Sequence, residues 1–112
     1  MSARSETRLW IAQRATAALL ALCVVMHLAT MIVVVKGGLT ANEILGRTRG
    51  SAAWATFYGV FVLAVAIHAP IGLRTVAGEW LQWRGRGADA SCIFAGVLLL
   101  AMGWRAVAAV TL

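Results

Sequence analysis

Two histidines, His27 and His68, are the only ones in the chain, and both stand inside long uncharged stretches. A polar side chain in hydrocarbon has no water to satisfy it, so each ring must meet a ligand or a neighbouring helix. A neutral imidazole in such a place suits haem iron, one ring nitrogen serving as ligand while a hydrogen bond to the other fixes the tautomer. The competing use is structural: the rings hydrogen-bond between helices, as Thr and Gln side chains do in membrane bundles.

The residues around each ring bear on that choice. In the first stretch Gln13, Thr16, Leu20, Cys23, His27 and Thr30 follow at spacings of 3, 4, 3, 4 and 3, which puts them all on one face of a helix. That face is turned to something other than lipid. In the second, His68 shares a face with Trp54, Phe57, Phe61, Ala64 and Gly72. Ala64 and Gly72 lie one turn to either side of the ring, and the spacing predicts a slot there for a flat ligand. Close helix packing is the other use of such small residues. Pro70 removes the hydrogen bond to the Ala66 carbonyl and predicts a kink beside His68.

The elements that carry these rings are read from hydropathy. Of 112 residues 62% are hydrophobic and 12% charged, a balance that excludes an ordinary water-soluble domain. Uncharged runs cover Ala15 to Val35, Ser51 to Leu73 and Ala90 to Trp104. The first two are long enough to cross a hydrocarbon core of about 30 Å. The third spans only if it continues past Arg105, with that side chain snorkelling outward. The expectation is an all-α bundle of three membrane helices, at about 12–35, 51–74 and 90–110, forming a single membrane domain over 1–112. In the connection 36–50 the Gly37-Gly38 pair stops the first helix. Thr40 and Glu43 then stand at capping-box spacing, predicting a short interfacial helix that ends near Gly46.

Charge sets the topology. The net charge is +6, but the basic residues lie outside the apolar runs, as anchors beside a bilayer, which argues against a nucleic-acid partner. Arg4, Arg8, Arg14, Arg74, Arg84 and Arg86 fall on one side of a three-span protein, against Lys36, Arg47, Arg49 and Arg105 on the other. The excess places the N-terminus in the cytoplasm and the chain in a bacterial inner membrane. The first run is too long for a signal-peptide core and has no small-residue cleavage site after it. Cys23 and Cys92 form no paired motif and read as small apolar packing residues. With Arg14 and Arg74 both taken as the inner boundary, His27 lies about 20 Å deep and His68 about 9 Å deep. Rings offset by roughly 10 Å do not share one iron, so each must pair with a histidine from another subunit.

The run Gln13-Arg14-Ala15-Thr16, followed by His27-Leu28, resembles the first helix of the haem-b membrane anchors of succinate dehydrogenases and fumarate reductases. His68-Ala69-Pro70-Ile71-Gly72-Leu73-Arg74 resembles that family's second-helix motif, a histidine followed four and six residues later by Gly and Arg. The likeness covers roughly Trp10 to Trp83. It implies a cytochrome b anchor subunit that binds haem b and passes electrons between an iron–sulfur subunit and a membrane quinone. His68 would ligate the haem nearer the cytoplasm and His27 the one nearer the outside, with Thr16 and Gly72 beside the cofactor. Arg14 and Arg74 would neutralise propionates or, with Trp10 beside Arg14, line a quinone pocket. The expected partners are flavoprotein and iron–sulfur subunits, together with a second small haem-ligating subunit or another copy of this chain.

The chain departs from the family in two ways. Larger two-haem anchors have five helices and four haem histidines in one chain, so this one resembles half of a split anchor. Trp10 stands where the single-haem branch has the quinone-site serine. Glu43 is the one carboxylate on the outer side, and its spacing favours capping over proton handling. The alternative function is a haem-free scaffold or assembly subunit of a respiratory complex.

Overall fold

The computed structural model describes residues 2–112, which form four helices: α1 (Ala3–Gly37), α2 (Ala41–Thr48), α3 (Ala52–Trp80) and α4 (Arg86–Thr111). α1, α3 and α4 are each long and apolar enough to cross a membrane, as the hydropathy predicts, and α4 does run through Arg105.

The ends of the helices differ from the sequence expectation because helices do not stop where the apolar residues do. α1 starts nine residues early, where the Ser2 side chain accepts a hydrogen bond from the Ser5 amide. At about 1.5 Å per residue its 35 residues rise about 52 Å, well beyond the hydrocarbon core. α3 passes through Arg74 and ends at Trp80. Gln82 then turns the chain in the left-handed region, so that the Trp83 amide returns to the Ala77 carbonyl at 2.9 Å. The α3–α4 connection is thereby reduced to residues 81–85, at the Arg74 end of the bundle (hereafter its inner end, the α2 end being its outer end).

α2 is the predicted interfacial helix, two residues longer than the expected stop at Gly46. Both arms of its capping box are present: the Glu43 amide donates to Thr40 Oγ1, and the Thr40 amide donates to Glu43 Oε2 at 2.9 Å. The Thr40 hydroxyl also donates to Glu43 Oε2 at 2.7 Å; this bond first, then the Thr40 amide and the nearby Arg47 charge, hold the Glu43 carboxyl below the usual glutamate range. Arg47 also donates to the Gly38 carbonyl, at a residue whose φ of +119° suits glycine. α2 is tied to the end of α4: Thr48 donates to the Val110 carbonyl at 2.6 Å and the Gly50 amide to that of Thr111 at 2.8 Å. Carbonyls that a helix end leaves unpaired are thus satisfied from α2 and its C-terminal turn.

α3 is the middle helix, with α1 on one side and α4 on the other. Its crossing with α4 depends on two glycines. A Cβ on Gly96 would run into the Pro70 ring and stand 3.1 Å from the Ala66 carbonyl, the group that the proline leaves without its helical partner. A Cβ on Gly103 would stand 2.6 Å from Val62. Small residues permit this approach where hydrocarbon supplies no hydrophobic drive for association. Cys23 and Cys92 are buried free thiols.

Candidate functional site

The polar face of α1 packs on α3, and the antiparallel register brings each histidine to a hydroxyl. Thr16 Oγ1 lies 3.1 Å from His68 Nδ1, and Tyr58 Oη lies 3.2 Å from His27 Nδ1. Thr16 is buried, and its hydroxyl also reaches the Ala12 carbonyl at 2.7 Å and the Gln13 carbonyl at 3.2 Å. His27 is flanked edge-on by Tyr58 and Phe61, with ring centroids 5.8 and 6.1 Å away. Both imidazoles are half-buried. Neither Nε2 has a hydrogen-bond partner among the described residues, and neither is sealed inside the chain.

These two contacts also measure depth. Eleven residues of α1 and ten of α3 separate them, about 15–16 Å of rise. The sequence estimate of roughly 10 Å was too small because it set Arg14 and Arg74 level. In the observed register α1 residue 14 faces α3 near residue 71, so Arg74 lies about 5 Å nearer the inner end. Rings this far apart along the bundle cannot bracket one iron.

Beside Gly72 the space is shared with α1: a Cβ there would stand 3.2 Å from Gln13 Nε2, so the glycine admits the end of that side chain. Ala64, on the other side of His68, is buried in the helix contact. The Gln13 Oε1 atom is buried without a partner, one turn inward of the Thr16–His68 pair. An unmet buried acceptor costs about 1–3 kcal/mol.

The arginines separate. Arg74 donates to Asp89 Oδ1 at 3.1 Å and pairs with Glu6 at 3.7 Å, joining the inner ends of α1, α3 and α4. Arg14 points to neither acid; it is exposed and lies over the Trp10 ring at 5.4 Å. Arg74, Glu6 and Asp89 line an open basin of about 720 Å³ at the inner end. A smaller apolar cavity of about 330 Å³, lined by His27, Tyr58, Thr48 and α4, lies at the outer end. Among the described residues no three His, Cys, Asp or Glu side chains converge.

Tyr58, Glu6 and Asp89 went unnoticed in the sequence. Tyr58 is about 80° around an ideal helix from His68, off the face read there. Pairing Thr16 with His68 would have found it, since the same antiparallel register sets His27 level with residue 57 or 58.

Three helices long and apolar enough to cross a membrane, two of them each bearing a histidine, define a multi-pass membrane protein. Comparison with protein families is specific: residues 1–104 match the family described as succinate dehydrogenase/fumarate reductase transmembrane subunit, and the chain belongs to that family. No curated protein and no solved structure gives a significant match.

Proposed function

We propose that the chain is a cytochrome b anchor subunit, supplying one axial ligand to each of two haems and carrying electrons between an iron–sulfur subunit and a membrane quinone. The observation that carries this reading is the pair of half-buried imidazoles at two depths. Each has Nδ1 tied to a hydroxyl and Nε2 without a partner. The donor chemistry fits haem b: a neutral imidazole in apolar surroundings, oriented through its other nitrogen. Haem, when bound, supplies the one-electron carrier.

This chain's own residues orient the ligands and supply charge at the inner rim. Arg74 is already balanced by two carboxylates, so Arg14, with only Trp10 against it, is the readier guanidinium for a propionate or a quinone oxygen. A second ligand for each iron must come from a partner, either a small subunit with histidines at matching depths or a second copy of the chain. Flavin and iron–sulfur subunits would dock at the inner end, which the arginine excess assigns to the cytoplasmic face of a bacterial inner membrane.

One observation favours the haem-free reading. Both rings bridge α1 and α3, which is what a structural pin between helices would do. The complex purified with its co-expressed partners separates the two. Two haems b are expected by pyridine haemochrome, one lost in His68→Ala and the other in His27→Ala. Bis-histidine spectra that survive both substitutions, or a complex without haem, would sink the cytochrome reading.

A further inference from the structure

The hydroxyl of Thr16 has one proton and three polar neighbours. Two of them, the carbonyls of Ala12 at 2.7 Å and Gln13 at 3.2 Å, can only accept. Were the proton given to His68, the 2.7 Å oxygen–oxygen contact with Ala12 would have no hydrogen between its atoms. The proton therefore belongs to the Ala12 carbonyl, and the hydroxyl turns only lone pairs toward His68. A separation of 3.1 Å then requires a proton on Nδ1. In a neutral ring that leaves Nε2 bare.

We infer that Thr16 is a positioning residue for His68, holding its imidazole as the Nδ1–H tautomer and so presenting Nε2 as the iron ligand. The inference rests on the cytochrome reading above. The arrangement is stiff for local reasons. A threonine that bonds the carbonyl four residues back on its own helix has its rotamer set by that bond. Thr16 is also buried at the α1–α3 contact, where water does not compete for the ring nitrogen. An acceptor on Nδ1–H makes Nε2 more electron-rich, which favours the oxidised iron and lowers its potential.

The test sets hydrogen bonding against packing, in the purified complex. Thr16→Val keeps the shape and removes the acceptor; Thr16→Ser keeps the acceptor and removes a methyl. Redox titration, with His68→Ala identifying the haem concerned, reads the result. The expected outcome is a higher midpoint potential for the His68 haem in Thr16→Val, an unchanged value in Thr16→Ser and no shift in the other haem. If valine prevents assembly, Thr16→Ala gives the same comparison without an added methyl. An unmoved potential in the valine or alanine variant, or an equal shift in serine, overturns the role of Thr16 while leaving the haem assignment standing. A wild-type complex without haem, or with its spectrum intact in His68→Ala, overturns the cytochrome reading, and the inference falls with it.

Discussion

The inner and outer histidines sit on the same pair of helices, yet they are held by different means. His68 meets a short hydroxyl anchored to its own helix, in a tight crossing where Gln13 fills the space over Gly72 and Gly96 lies under Pro70. His27 meets the end of a long phenol whose hydroxyl has no other partner among the described residues. Beside it Tyr58 and Phe61 continue into an aromatic group with Trp54 and Phe57, and Tyr58 and His27 border the 330 Å³ cavity. One ring is positioned by hydrogen bonds in a packed crossing, the other by aromatic contacts beside open space. The same residue type at two depths thus meets two mechanical regimes, stiff inside and compliant outside.

The largest expected break in that contrast comes from the α3–α4 crossing. Gly96→Ala should destabilise by about 1–3 kcal/mol, the usual cost of overpacking, because its Cβ meets a proline ring and a backbone carbonyl. Gly103→Ala meets the side chain of Val62, which can turn, so its loss should be the smaller of the two. Thermal or denaturant unfolding of the complex in detergent measures both. Equal losses would mean that the two halves are equally stiff.

A smaller effect is expected from Tyr58→Phe, which removes the hydroxyl at His27 and leaves the ring contacts. The loss should be about 1 kcal/mol, one ordinary hydrogen bond, with the His68 environment unchanged. Unfolding together with the spectrum of each haem checks it. A change at His68 would show that the two sites are coupled.

The smallest effect lies at the outer surface. The Glu43 carboxyl titrates below its unfolded value, so its contribution to α2 is present above that value and lost as pH falls through the folded one. Amide exchange at Thr40 and Glu43 should stay slow at neutral pH and quicken only on acidification below the usual glutamate range, once its intrinsic pH dependence is removed. Glu43→Gln should flatten that response.

Much of this was legible in the sequence for definite reasons. Hydropathy runs report spans because unsatisfied backbone forces helices in lipid, and Thr40 with Glu43 reports a cap because that geometry is local. The single polar face of α1 followed from its 3-4 spacing. What stayed hidden depended on register between helices: that Thr16 meets His68, that Tyr58 meets His27, and that Arg74 lies nearer the inner end than Arg14. Ala64 and Gly72 were ambiguous because a small residue makes room equally for a cofactor and for a neighbour such as Gln13. Glu6 was hidden because the residues before Arg14 read as a polar lead-in, whereas they form the first turns of α1.

With α3 in the middle, no large side chain among the described residues is fully enclosed. Such a molecule has almost no inside of its own, and lipid serves as its solvent on most faces. Insertion and assembly can then be separate events. The three spans can stand in a bilayer first and meet their partners by lateral diffusion, since burying a lipid-solvated face exchanges one apolar contact for another. The choice of partner must accordingly come from what lipid cannot match: the open ring nitrogens and the shape of the grooves beside them.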